Sequence, residues 1–320
     1  MYPTSYQAYR LKDLSAHWQR AQRLYEFIGA RDNECRFVRL RECRKRAWFA
    51  IDRESMTIKL LSNACKLRWC PICQSATRAC VASQSTVWYQ TVRRPKFLTL
   101  TLKHSDATLT DQIDRLYKCW RKFRLSALVK KQTRGGIWFF QIKETQPSGT
   151  WHPHIHVLLD MNYIPQRALS DLWLKITGDS TVLDIRAIHS EKKAIDYVSR
   201  YAGNPIELSD ITFEQSIEVY DALHNRRLCG TYGSARSVRL RPQRPSDGGD
   251  WQFLMDWDLF ARCGTGEPLI ALIEMHWRTG LPVTNPNSIA LIDHWSHFLN
   301  PIPPPNTIDP HPQLYLSFTS

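Results

Sequence analysis

The amino-acid sequence predicts an α+β fold, a central antiparallel sheet with helices packed on one side, preceded by a cysteine-stapled N-terminal lobe. Three observations carry that expectation. Short apolar, β-branched segments alternate with amphipathic helical ones along residues 91–240. A polar turn, Gln146-Pro147-Ser148-Gly149, joins two of the strand-like segments as a hairpin. Three cysteines, Cys65, Cys70 and Cys73, crowd into a strongly basic N-terminal segment. Interleaved strands and helices with hairpin pairing at the centre fit an antiparallel sheet with one helical layer best.

Each element has its own signal. Residues 5–30 read as an amphipathic helix, with Tyr9, Leu14, Trp18, Leu24, Phe27 and Ile28 among polar residues. Gln74 to Gln90 reads as a second helix. Lys96–Leu102 reads as a strand with Leu98 and Leu100 on one face and threonines on the other. Asp111–Lys131 is expected to be one helix with a basic face (Arg115, Lys118, Arg121, Lys122, Arg124), ended by Gly135-Gly136. Ile137–Lys143 and the apolar run from Trp151 to Leu159 form the hairpin strands. Ser170–Thr177 is expected as a short helix, Val182–Ile188 as a strand and Glu191–Ala202 as a helix stopped by Gly203-Asn204-Pro205. Further on, Phe213–Asn225 reads as helical and Leu228–Leu240 as a glycine-interrupted strand region. Trp251–Phe260 and Leu269–Thr279 are short apolar segments, and Asn300–Pro312 is a proline-rich tail.

The net charge of +13 is unevenly placed. Residues 1–150 carry 29 Lys and Arg against 11 Asp and Glu, whereas residues 201–320 carry 8 against 13. A basic first half suits a polyanion partner. No apolar run approaches the ~18 residues of a membrane span, and the N-terminus lacks the apolar core of a signal peptide, so no membrane is expected. Nine cysteines is an odd number, with one cluster at metal-type spacing, which points to a reducing, cytoplasmic setting.

Cys65-x4-Cys70-Pro71-Ile72-Cys73 has the spacing of a structural zinc site, which takes four ligands. The fourth is to be sought at Cys43 or Cys35, with Cys80 a more distant option. Arg36, Arg39, Arg41, Arg44, Arg46, Lys66 and Arg68 surround these cysteines, as a lobe presenting cations to phosphates would.

The second chemical feature is His152-Pro153-His154-Ile155-His156. Side chains two apart on a strand share a face, so His154 and His156 present two imidazoles together, a pair of metal ligands. His152 falls on that face at the strand entrance, as a supporting or DNA-contacting residue. Glu144, just before the turn, is the candidate third ligand for Mn2+ or Mg2+ if the hairpin register brings it round; a one-residue slip substitutes Gln141. Tyr197 and Tyr201, four apart on one helix face, are candidate nucleophiles toward phosphorus.

In this order the motifs resemble those of the His-hydrophobic-His (HUH) endonucleases, specifically the rolling-circle replication initiators of small bacterial plasmids. Phe97-Leu98-Thr99-Leu100-Thr101 is similar to the family's first motif, the histidine segment to its metal-binding motif and Tyr197-Val198-Ser199-Arg200-Tyr201 to its nucleophile motif. The cysteine segment with Cys43 upstream is similar to the zinc-binding N-terminal part of many such initiators. The resemblance covers residues 35–240. It implies zinc on Cys43, Cys65, Cys70 and Cys73, metal on His154, His156 and Glu144, and Tyr201 as first nucleophile with Tyr197 as second. It implies a sequence-specific single-strand nick in plasmid origin DNA, presented single-stranded or as a hairpin, a 5′-phosphotyrosine intermediate and a 3′-OH for the host polymerase. Arg44, Arg46, Lys66, Arg68, His152, Lys193 and Arg200 are the candidate DNA contacts. One branch of initiators carries glutamate four residues before the nucleophile; Tyr197 stands there instead, as in phage replication proteins and rolling-circle transposases, and Asp196 does not take the glutamate's role. A zinc-stabilised region over 1–90, a nicking domain over 91–240 and a C-terminal region over 241–320 are expected. No G-x-x-x-x-G-K-[ST] helicase motif is present, so unwinding falls to a host helicase. The rival readings are a two-tyrosine transposase and a non-catalytic zinc-containing DNA-binding regulator.

Overall fold

A computed structural model describes residues 5–11, 14–52, 54, 57–145, 150–240 and 251–258. The chain starts with α1 (Tyr6–Leu11), α2 (Ser15–Asp32) and α3 (Arg36–Arg41), followed by β1 (Ala47–Asp52) and β2 (Thr57–Ser62). The single helix expected over 5–30 is thus two. On α2 the buried residues Trp18, Ala21, Leu24, Tyr25 and Ile28 recur at helical spacing, which makes one apolar stripe. Asn33, in the left-handed region at φ 53°, ends it. Then come α4 (Pro71–Tyr89), β3 (Pro95–Thr101), α5 (Leu109–Leu125), α6 (Ala127–Gln132), β4 (Thr133–Thr145) and β5 (Thr150–Met161). The described chain continues through α7 (Gln166–Thr177), β6 (Leu183–Ala187), α8 (Glu191–Gly203), α9 (Phe213–Ala222), β7 (Cys229–Gly233) and β8 (Trp251–Asp256).

The central sheet has the order β6-β3-β5-β4-β7, and every pairing is antiparallel. The α+β class and the hairpin stand as expected: β4 pairs with β5 from Thr133 to Thr145, although the four turn residues themselves lie outside the described ones. A second, three-stranded antiparallel sheet orders β2-β1-β8. It brings residues 251–256 back to the N-terminal lobe, where Trp257, 2% exposed, packs on Tyr6 and Phe49. Leu269–Thr279 and the proline-rich tail lie outside the described residues.

Alternation along β5 divides the molecule. Trp151, Ile155, Val157, Leu159 and Met161 enter one core with Leu109, Ile113, Leu116, Trp120 and Phe123 of α5 and Leu169 and Trp173 of α7. Each such side chain contributes ~1.5–3 kcal/mol by burial. That core is continuous with the α2 stripe and the clustered cysteines. The opposite face carries the histidines. There Leu158, Ile137 and Phe139 pack against Val81 and Trp88 of α4 and Ile195 of α8, so this face too is partly covered by helices.

Two boundaries differ from expectation for local reasons. The helix expected over Asp111–Lys131 divides at Ser126, whose backbone is extended (ψ 148°) and whose Oγ accepts from Val129 N to cap α6. Gly135 and Gly136 do not end a helix but lie inside β4, where neighbouring strands come close. A Cβ on Gly136 would stand 2.7 Å from the Leu158 carbonyl oxygen, and one on Gly135 2.4 Å from Ser234 N.

Arg68, expected among the DNA contacts, is engaged within the fold. Its guanidinium donates to the carbonyls of Leu223 (2.5 Å) and Arg226 (2.8 Å), just past the end of α9. A cation there satisfies carbonyls that the helix leaves without partners. Arg78 pairs with Glu207 and Arg31 with Asp221, so the N-terminal lobe grips the α9 region at several points. Replacing Arg68 by Met should therefore lower folding stability, on the order of 1–3 kcal/mol as charged hydrogen bonds are lost. Urea unfolding measures this; an unchanged midpoint with a flatter salt dependence of DNA affinity would restore Arg68 to the interface.

Candidate functional site

The histidine face of β5 lies at the middle of the sheet. Thr99 of β3 stands directly opposite His156, and Gln141 of β4 opposite His154. The His154 and His156 rings are parallel within 3°, with centroids 6.1 Å apart, and both are buried. His156 is held from both sides: Thr99 Oγ1 lies 3.1 Å from its Nδ1, and its Nε2 lies 2.7 Å from Gln141 Oε1. His154 Nδ1 is buried with no hydrogen-bond partner. His152, at a centroid distance of 4.4 Å from His154, donates from Nε2 to the Leu102 carbonyl at 3.1 Å. Burial, with the neighbouring His152, His156 and Lys143, pushes His154 down to about 3. Burial and Lys143 push His156 down to about 4. Both rings are thus uncharged at neutral pH; His154 keeps an unpartnered nitrogen, whereas both nitrogens of His156 are engaged by Thr99 and Gln141.

The register places Glu144, the expected third ligand, away from the histidines. Glu144 pairs with Trp151, not with a histidine, so its side chain points to the other face, where its Oε1 accepts from Gln215 Nε2 of α9 at 2.5 Å. The residue that shares the histidine face is Gln141. Strand period alone could not choose between them, because one residue of slip at the hairpin exchanges the faces.

The tyrosine helix lies over this face. Ser190 caps α8, its Oγ accepting from Lys193 N. Tyr197 meets His156 edge-on at 5.4 Å, and Phe97 of β3 touches both rings, at 5.6 Å from each. Tyr201 follows one turn later on α8; its side chain, like that of Arg200, is outside the described ones. In the sequence Phe97 and Thr99 stand out only as parts of a strand motif. Their shared parity within Phe97-Leu98-Thr99 was the signal that both would face one site.

The cysteines converge as well. The sulfurs of Cys43, Cys65, Cys70 and Cys73 all lie within 4.8 Å of one another and are buried. Cys43–Cys73, Cys65–Cys73 and Cys70–Cys43 are 3.6, 3.7 and 3.7 Å apart. A Zn–S distance of ~2.3 Å puts tetrahedral sulfurs about 3.8 Å apart, so the cluster fits the ion. Arg44 and Lys66, each just after a ligand-position cysteine, adopt left-handed backbone (φ 62° and 56°). That curl lets Leu67 N reach Cys65 Sγ and Cys65 N reach Cys43 Sγ, both at 3.5 Å. Hydrogen bonds from Cys43, Cys65 and Cys70 hold the Cys73 thiol well below its usual range. Contact with Cys43 pushes Cys65 and Cys70 up, since four thiolates so close cannot all ionise without a cation. Cys35 is exposed and outside the cluster, and Cys80 faces the Arg239 carbonyl. Of the candidate DNA contacts, Arg46, Lys66 and Lys193 are exposed, while Arg44 bonds Ser62 Oγ.

An antiparallel sheet with a buried imidazole pair beneath a tyrosine helix, joined to a four-cysteine lobe, defines the class. The chain matches the family model Rep_1, described as Replication protein, over residues 59–252, and it belongs to that family. Among curated relatives, "Protein rep" of Bacillus amyloliquefaciens is 27% identical over 66% of this chain and 74% of its own length. "Protein rep" of Streptococcus pneumoniae serotype 2 is 28% identical (64% and 72% covered), and that of Staphylococcus aureus 26% (61% and 93%). No solved structure matches. Among the described residues, no helix is long and apolar enough to cross a membrane.

The cluster geometry yields a direct expectation. Purified protein should hold about one zinc per chain, kept by Cys35→Ser and lost by Cys43→Ser. The loss should cost several kcal/mol of folding free energy, because a closed thiolate site adds its binding energy to folding. Elemental analysis with thermal unfolding decides it; zinc retained at full stoichiometry in Cys43→Ser would contradict the assignment.

Proposed function

We propose that this chain initiates rolling-circle replication of a plasmid by nicking one strand of its origin and attaching to it. The observation that carries the reading is the neutral, buried pair His154 and His156, one with an unpartnered nitrogen, packed against Tyr197 of the two-tyrosine helix. The donor set suits a divalent ion, Mn2+ or Mg2+: two imidazoles, with the Gln141 amide oxygen as third ligand in place of Glu144. A bound ion supplies Lewis-acid polarisation of the scissile phosphate.

The chain's own residues do the rest. Thr99 fixes the His156 ring through Nδ1 and so sets which nitrogen faces the site. Lys143, on the same face and exposed, offers a charge to the phosphate. The Tyr201 oxygen attacks phosphorus, the P–O3′ bond breaks, and the leaving 3′-oxygen takes up the proton that the phenol gave to solvent. The products are a 5′-phosphotyrosyl strand and a free 3′-OH for the host polymerase. Tyr197 attacks the second phosphate in the same way at termination, and a strand's 3′-OH then displaces the first tyrosine. Holding both phenols one helical turn apart makes the two steps sequential at one site. The zinc lobe, with exposed Arg46 and Lys66, steadies the flanking DNA. Host enzymes unwind the duplex, and the reaction belongs in the cytoplasm. Membership of the Replication protein family favours an initiator over a transposase of the same chemistry.

The test is adduct formation on an origin oligonucleotide with Mn2+, read by denaturing gel and peptide mass spectrometry. Tyr201→Phe should abolish the first adduct, and Tyr197→Phe should attach but accumulate unresolved product. Glu144→Gln should leave activity within about twofold, whereas Gln141→Ala, which removes both the proposed third ligand and the hydrogen-bond partner of His156, should lower it at least ~10–100-fold. DNA binding without any adduct in the wild type would favour a non-catalytic regulator.

A further inference from the structure

The opposite end of the sheet carries a second surface that the histidine site does not use. Four segments meet there: the residues before β3, the α6–β4 junction, the residues after β5 and the turn after β7. Hydrogen bonds lock them together, from Met161 N to the Arg94 carbonyl (3.1 Å), Asn162 N to that of Gln132 (2.9 Å) and Ser234 N to that of Arg134 (2.9 Å). The Arg94 guanidinium also bonds Asn162 Oδ1. These segments place Arg93, Arg94, Lys130, Lys131, Arg134 and Arg236 on one rim, all exposed. Their one carboxylate, Asp160, is buried and already takes Arg94 N at 3.1 Å and Arg134 Nε at 3.6 Å. Among the described residues, Arg93, Lys130, Lys131 and Arg236 have no carboxylate partner. On the segment after β5 stands Tyr163, 78% exposed, next to Asn162, which is anchored to Gln132, and before the buried Ile164.

We infer that this rim is a second DNA-binding site, for single-stranded DNA, in which Tyr163 stacks on an unpaired base and the surrounding cations take the phosphates. The inference rests on the reading of the chain as an origin-DNA protein. Six exposed cations around one buried acid make a positive rim that attracts an anionic polymer, whose phosphates release its counterions on contact. An exposed aromatic ring among such cations is the stacking platform of single-strand binders, whereas the bases of an intact duplex are already stacked on one another. His156 lies five residues before the end of β5 at Met161, roughly 16 Å at about 3.3 Å each along the strand, and Tyr163 follows two positions beyond. A strand leaving the histidine face could therefore be held at the far rim while its end reacts.

The experiment measures fluorescence anisotropy of the full chain with labelled oligothymidylate of about 20 nucleotides, longer than the ~4–16 of one single-strand site. A duplex of the same length and unrelated sequence is the control, and no divalent metal is added. Tyr163→Ala should weaken oligothymidylate binding roughly tenfold and leave the duplex unaffected, and Tyr163→Phe should restore binding. The double change Lys130→Ala with Lys131→Ala should reduce the salt slope by about 1.4, at ~0.7 per single-strand phosphate. Unchanged oligothymidylate affinity in Tyr163→Ala would overturn the proposal, as would equal weakening of both probes, which marks a duplex surface. Adduct formation with Mn2+ is scored separately in the wild type. Its absence would overturn the nicking reading, while the oligothymidylate result would still decide this surface.

Discussion

Because successive side chains of β5 point to opposite faces of the sheet, one twelve-residue strand serves two environments at once. Its odd-numbered residues complete the core shared with α5 and α7, while its even-numbered ones present the histidines beneath α8. A slip of one residue would move Ile155, Val157 and Leu159 to the histidine face and the imidazoles into the core. The core is thus what fixes the site: the apolar face specifies the register, and the register decides which residues of β3 and β4 stand beside the imidazoles. Thr99, Gln141 and Phe97 share the site, and Glu144 does not, for that reason alone.

Burying two imidazoles is costly unless their nitrogens find partners. His156 has Thr99 and Gln141; His154 keeps one buried nitrogen without any. The four-cysteine cluster has the same character on a larger scale, since its thiols are close enough to compete for a proton and fit the sulfur spacing of a zinc site. The cysteine cluster fits a cation, and the proposed metal reading of the histidine pair would relieve its unpartnered nitrogen. The two sites differ in construction: the cysteines gather four sulfurs at tetrahedral spacing, whereas the histidines lie on a sheet face partly covered by α4 and α8, with a tyrosine alongside.

Much of this was legible in the sequence. The alternation of Trp151 to Leu159 gave the strand, the faces and the histidine pair, and the spacing of Cys65, Cys70 and Cys73 gave the cluster, which Cys43 completes. What was not legible depends on pairing between distant segments. Nothing local to Trp251–Asp256 says that it will lie beside Ala47–Asp52, and those six-residue strands are too short to announce a partner. The choice between Glu144 and Gln141 turned on hairpin register, which depends on packing of both sheet faces. Arg68 looked like its basic neighbours because composition cannot tell a cation facing solvent from one that caps α9. Ser126 and Gly136 were misassigned to one helix and its end because a cap and a close strand approach leave only a single-residue signal.

The central claim, that the histidine face of β5 is a divalent-metal site, is tested most directly by pulsed electron paramagnetic resonance of Mn2+ added to the zinc-loaded chain. The expected spectrum shows nitrogen couplings from two imidazoles, reduced to one by either His154→Ala or His156→Ala and unaltered by Glu144→Gln. Bound Mn2+ with no imidazole coupling, or couplings that survive both histidine changes together, would contradict the account.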